Sequence, residues 1–203
     1  MFSNLRMFLP LVLLGVLFMT GCSATRLTTS WRDDSLKTGQ IKKPMILAIV
    51  EKKVVRARLE DEFVKSLREM GVEAVQSYKT LPDLKGIDAA AVKANLIENG
   101  RDSVLAIKLV DTKKETVQVP GTITPIYSNF GSFYSGTTSA VYMPGYSYDY
   151  KIYSIQNNLY TVSDEKLVWT GVSESEEETG SVDDALRNFA EFIAKSMKKQ
   201  GVF

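Results

Sequence analysis

After residue 44, apolar positions fall into two patterns: short unbroken runs, and stripes that recur every three or four residues. Met45, Ile46, Leu47, Ala48, Ile49 and Val50 form a continuous run after Pro44, which suits a strand covered on both faces. Val55, Leu59, Phe63, Leu67 and Met70 then recur at helical spacing, and Gly71 is a stop signal. The Arg, Glu, Asp and Lys residues between them are expected on the opposite, solvated face. Residues 72–75 read as a second strand and Leu81-Pro82-Asp83 as a loop. Residues 87–98 predict a second helix with Val92 and Leu96 inward, ended by Asn99-Gly100. Residues 104–110 are another buried strand run.

The pattern changes at Thr116. From there to Tyr148 no Asp, Glu, Lys or Arg occurs, while Pro120, Pro125 and Pro144 interrupt any regular period. The segment carries Tyr127, Phe130, Phe133, Tyr134, Tyr142, Tyr146 and Tyr148. A long loop inside a compact domain is usually functional or disordered, and ordinary disorder is poor in aromatics and rich in charge. Residues 120–147 are therefore an uncharged aromatic insertion with two readings. In one, an extended hairpin folds back and buries its rings on the parent domain. In the other, the rings face a partner, as aromatic surface patches do. Contact with a lipid interface is a third reading.

Strand spacing resumes at residues 150–162, and Ser163-Asp164-Glu165 turns the chain into a strand over 166–172, with Trp169 covering the core. Glu174, Glu176, Glu177 and Glu178 are an acidic run. It reads as a solvated strand end, or as a cation site that lacks the Asp/Asn/Gly ligand-loop pattern. Ser181 is the expected N-cap of a last helix with Asp183 and Asp184 in its first turn. Val182, Leu186, Phe189, Ile193 and Met197 make its apolar stripe, and Gly201 stops it. The order is β-α-β-α-β, insertion, β-β-α. Right-handed crossovers then predict an α/β fold, a two-layer mixed sheet with helices.

The first 21 residues stand apart. Arg6 precedes an apolar run from Met7 to Met19, interrupted only by Pro10 and Gly15, and then Thr20-Gly21-Cys22. A transmembrane anchor needs about 20 mostly apolar residues, more than this run supplies. A plain secretory peptide would leave Cys22, the chain's one cysteine, as an unpaired thiol in an oxidising compartment. The sequence Met19-Thr20-Gly21-Cys22 resembles the lipobox of bacterial lipoproteins, with Met19 where Leu is usual. That resemblance implies cleavage before Cys22, a diacylglyceryl thioether on its sulfur, and often an acylated amino terminus. Membrane lipid is then the first partner, reached through acylated Cys22. Ser23 follows, where Asp would retain a lipoprotein at the inner membrane. The resemblance thus implies an outer-membrane, periplasm-facing address. The expected organisation is a signal peptide at 1–21, a polar tether at 22–44, and a single α/β domain at 45–203. Trp31 is the tether's one aromatic residue, either packed on the domain or touching a partner.

Composition narrows the chemistry. The precursor has 25 basic and 24 acidic residues, so there is no basic excess for nucleic acid. Histidine is absent, which removes zinc-site and Ser-His-Asp readings. No Gly-rich phosphate loop occurs, and no cofactor is expected. Asp102, Asp111, Glu115 and Asp149 are the carboxylates an enzyme could use, but no spacing draws them together. Phe203 matches the last residue of outer-membrane barrels, yet it follows a helix, and the alternating strands of a barrel are missing.

The element order resembles a group of small bacterial envelope lipoproteins. Residues 45–50, 56–71 and 72–75 are similar to their opening unit. Asn158-Leu159-Tyr160 and Lys166-Leu167-Val168-Trp169-Thr170-Gly171 are similar to their closing hairpin. The topology is also similar to the amino-terminal domain of the Tol-system periplasmic protein and to the soluble part of the curli-secretion lipoprotein. The resemblance spans about residues 30–202 and carries no catalytic signature. It implies a non-catalytic lipoprotein that binds another envelope component or self-associates, with an accessory oligomeric subunit of an export or assembly apparatus as the alternative. The curli-type pore builds membrane strands from insertions; here one uncharged insertion, rich in Pro and Gly, is present.

Overall fold

The computed structural model describes residues 25–126, 135, 139–176 and 181–203. The chain runs through strands β1 (Thr25–Arg32) and β2 (Pro44–Ile49), helix α1 (Lys53–Glu69), strand β3 (Val75–Gln76) and helix α2 (Ala89–Glu98). Strands β4 (Ser103–Val119), β5 (Thr122–Ile126), β6 (Ser139–Met143), β7 (Tyr146–Thr161) and β8 (Leu167–Glu176) follow, and helix α3 (Val182–Lys199) closes the fold. Six strands form one mixed sheet in the order β1-β8-β7-β4-β2-β3, with β2 parallel to both β3 and β4. The fold is the expected α/β arrangement of a mixed sheet with helices, two-layered where α1 and α3 cover it.

Helices α1 and α3 pack together and on one face of this sheet. Ile46 and Ala48 of β2, Leu105 and Ile107 of β4, Leu159 of β7 and Trp169 of β8 meet Phe63, Leu67, Phe189 and Ile193 in a single buried cluster. Phe63 and Phe189 join the two helices edge to face, with ring centroids 5.8 Å apart. Trp169 is fully buried, and its indole N–H donates to Gln200 Oε1 at 2.8 Å. Its ring covers Gly171, where an added Cβ would come within 2.6 Å of it. That is why a small residue follows the Leu-Val-Trp triplet on this face.

β3 and β4 flank β2 on opposite sides. Two right-handed crossovers in opposite directions put α1 and α2 on opposite faces of the sheet. Met45 and Leu47 point away from α1 and are buried all the same, as are Leu81 and Leu96 in the crossover that carries α2. This second cover explains why the whole run 45–48 is apolar.

Four expectations change, the first being the buried run at 104–110, which is buried only as far as Ile107 while Leu109 and Val110 are about half exposed. Residues 25–32 are a strand of the sheet, antiparallel to β8, where the sequence suggests an irregular tether. Alternating Thr and Leu27 suit a half-buried edge, and a bulge between Leu27 and Thr29 twists it. The strand at 72–75 shortens to Val75–Gln76. The charged residues of α1 do not all face solvent, because Arg56 and Glu60 are buried. Glu60 accepts from Arg56 Nε at 3.0 Å, Ser77 Oγ at 2.7 Å and the backbone N–H groups of Ala48 and Tyr78. This carboxylate ties α1 to β2 and to the turn after β3.

Asp33 fixes the exit of β1. Its carboxylate accepts from Lys166 Nζ and from the hydroxyl and backbone N–H of Ser35. Lys166 first, then Ser35, holds the Asp33 carboxyl far below the ordinary carboxylate range, and Asp33 in turn raises Lys166. A depressed carboxylate contributes stability above its unfolded value of about 3.9, and loses it as pH falls through the lower folded value. Asp33→Asn will therefore destabilise the protein at pH 7, and the deficit against the parent will shrink as pH falls below about 4. Denaturant melts of both proteins at neutral and acid pH measure it.

Candidate functional site

The chain's least usual geometry begins where β4 and β7 outrun their neighbours. β2 pairs with β4 only as far as Lys108, and β8 pairs with β7 only as far as Ile152. A bulge between Leu109 and Asp111 bends β4 at this point. Beyond Lys113↔Ile152 the two strands have, among the described residues, only each other as ladder partners, down to Val119↔Tyr146. Pro120-Gly121 then faces Pro144-Gly145, and β5 and β6 resume from Thr122↔Met143 to Ile126↔Ser139. Both strands spend two residues at this step, so the register carries through. β4 to β7 is one long hairpin arm.

Two glycines make the step possible. A Cβ on Gly145 would sit 2.7 Å from Gly121 N and 2.7 Å from Val119 O, and one on Gly121 would sit 2.9 Å from Gly145 N. Proline on each strand removes a ladder donor at the same point.

Charge stops at the base of the arm. Lys114 and Asp149 form an ion pair at 2.6 Å, and Thr116 Oγ1 donates to Asp149 at 2.7 Å. Lys114 first and Thr116 second lower the Asp149 carboxyl. Outward from there, paired residues share a face: Val117 with Tyr148 and Val119 with Tyr146 on one, Gln118 with Ser147 on the other. Tyr146 and Tyr148 stack with centroids 6.3 Å apart. Ile123, Tyr142 and Tyr146 are 69%, 65% and 64% exposed, and Val141, Met143 and Tyr148 are about half exposed.

These described rings lie in solvent, and none is folded back on the domain. Among the predicted contact residues, Tyr142 and Tyr146 both lie on the arm, exposed on either side of the Pro144-Gly145 step. Tyr127, Phe130, Phe133 and Tyr134 lie outside the described residues, as do Cys22 and Ser23. Trp31 is elsewhere. It pairs with Thr170 on the sheet face away from α1 and α3, half exposed at 48%. Trp31 belongs to a sheet strand, so it does not pin an irregular tether.

The candidate carboxylates do not converge. Asp102 accepts from the backbone N–H groups of Lys42 and Lys43, at 2.7 and 2.8 Å, before β4 begins. Asp111 lies about 30 Å further along an extended strand, and Glu115 and Asp149 lie on the arm. Among the described residues no group of acidic side chains could hold a metal ion. Of the acidic run, Glu174 forms an ion pair with Arg26 of β1 at 2.7 Å, and Glu177 and Glu178 lie outside the described residues.

Strand directions add a fact that the sequence did not offer. β8 runs with β2 and β4, and β1 runs against β8. The start of β1, the end of β8, the amino-terminal ends of α1 and α3 and the base of the arm therefore all lie at one end of the sheet. Thr25 pairs with Ser175 there. No helix among the described residues is long and apolar enough to cross a membrane.

No protein-family model matches this chain, and no curated protein does. Solved structures resemble it distantly. One is a PelC dodecamer from Paraburkholderia phytofirmans, 13% identical over 88% of this chain and 99% of that one, with a TM-score of 0.47. Another is the lipoprotein GNA1162 from Neisseria meningitidis, 12% identical over 78% of this chain and 99% of that one, with a TM-score of 0.43.

Proposed function

We propose that this chain is a non-catalytic envelope lipoprotein, anchored by acylated Cys22 in the outer membrane and facing the periplasm, that contacts another envelope component through its arm. The observation that carries the contact is the uncharged ribbon with its exposed Tyr face. A two-stranded ribbon is marginal alone in water and gains stability when a partner covers it. Aromatic residues supply large contact area at such surfaces. Cys22 precedes the first residue of β1 by three positions, and three residues reach at most about 11 Å. With a lipid on Cys22, the membrane lies at the arm's end of the sheet, so the component contacted is one at the membrane surface.

The second reading is self-association in an accessory oligomeric subunit. What favours it is that both edges of the ribbon lack a ladder partner among the described residues, and such edges accept another strand. Photocrosslinking from position 142 in intact cells separates the two readings by the mass of the adduct.

The anchor has its own test. Cys22→Ser will lose acyl label and either stay an uncleaved precursor or appear in the soluble periplasmic fraction. Unchanged processing and membrane fractionation would overturn the lipoprotein reading. Ser23→Asp will move the protein to the inner membrane in a host that uses that sorting rule, as a sucrose gradient would show.

A further inference from the structure

Beside the start of β1 the helices do not close on the sheet. A groove of about 590 Å³ runs between the amino-terminal turns of α1 and α3 and the strand ends beneath them. Leu59, Ile107, Ile155, Leu186 and Phe189 line its depth. Leu109 and Val182 stand at its lip, 47% and 63% exposed. The stripe of α3 therefore continues past the closed core: Val182, an expected core residue, faces this opening. Ser175, Ser181, Lys52 and Glu176 supply the polar rim. The volume lies in the range of small-molecule sites, which are mostly apolar with a few polar groups.

The rim residue Ser175 is the ladder partner of Thr25, and their hydroxyl oxygens are 3.0 Å apart. Thr25 is itself buried. Cys22 is three residues upstream, within about 11 Å of Thr25 even along a fully extended chain. An apolar groove and the proposed attachment point of long acyl chains are thus held at the same end of one strand pair.

We infer that the groove is a binding site for one acyl chain of the lipid on Cys22. The inference rests on the reading of Cys22 as acylated. The chain enters past Leu109 and Val182 and lies against Ile155, Leu186 and Phe189. The uncharged linkage to Cys22 stays at the hydroxyl-bearing rim, where no buried charge is required. A docked chain removes exposed apolar surface from water and holds the domain close to its anchor.

The test uses the full-length protein, labelled in cells with a photoactivatable palmitate analogue and purified in detergent. Mass spectrometry after illumination locates the adducts. Acyl chains on Cys22 crosslinked to peptides containing Leu109, Ile155 or Leu186 support the site. Ala185→Phe, which fills the groove, will lose those crosslinks while keeping the label on Cys22 and a cooperative thermal melt. Groove peptides modified by a phospholipid, and not by the Cys22 lipid, would overturn the assignment to this chain's own acyl group. Labelled Cys22 with crosslinks to detergent alone would overturn the site. An unlabelled Cys22 would overturn the lipoprotein reading and this inference with it, and the intact mass distinguishes that failure from the others.

Discussion

Glu60→Ala will cost the folded domain about 3–5 kcal/mol, the usual penalty for removing one partner of a buried ion pair. Glu60 is fully buried and Arg56 nearly so, at 0% and 3% exposure. The substitution leaves the Arg56 guanidinium without its carboxylate and frees the backbone N–H groups of Ala48 and Tyr78. Among the described residues Arg56 keeps Ser77 Oγ alone, at 2.7 Å. Glu60→Gln, which retains the side chain's shape and an acceptor, will cost less. Urea denaturation of the two variants beside the parent reads the difference. Equal, small effects would mean that this network does not tie α1 to the sheet.

Phe63→Ala will have an effect of similar size, about 3–5 kcal/mol, because it opens a cavity where α1, α3 and the sheet meet. Phe63 is fully buried, and its ring edge meets Phe189. Phe189→Ala will cost a comparable amount. The double variant will cost less than the sum, since both substitutions delete one aromatic contact. Lys65 lies on the exposed face of α1, and Lys65→Ala will stay within about 0.5 kcal/mol. Equal sensitivity at Phe63 and Lys65 would show that the helix is rotated from its observed face.

Phe63 and Phe189 were legible in the sequence for a simple reason. Each belongs to a 3.6-residue stripe, and only one face of a helix can satisfy such a stripe. Glu60 was hidden by the same logic. A charge between apolar positions reads as solvated, and only the tertiary fold reveals the four donors around this one. β1 was hidden differently. Its residues are mostly Thr, Ser and Arg, and the β8 strand that orders it lies some 140 residues later, as the Thr28–Val172 separation of 144 records. Local pattern carries no trace of so distant a partner.

The arm shows both limits. Its absence of charge from Thr116 to Tyr148 is visible at once, and direct pairing of the flanking strands follows from their spacing. Its direction does not. That the arm leaves from the end at which β1 begins depends on the orientation of four strands, and no local pattern sets it. The groove near Thr25 was invisible for the same reason, since residues from α1, β4, β7, β8, α3 and the loops before the two helices line it.

Replacing residues 120–147 by an Asn-Gly turn tests most directly whether the arm is the contact surface. The β4–β7 pairs out to Val117↔Tyr148 lie outside the replaced segment, so the shortened hairpin keeps its ladder with the sheet. The account predicts a protein that remains in the membrane fraction and melts cooperatively, but loses the crosslinks that the full-length protein makes in intact cells. Loss of the cooperative melt would place the arm's rings in the core. A shortened protein that folds and keeps every crosslink would contradict the account outright, and would move the contact to the open sheet face around Trp31.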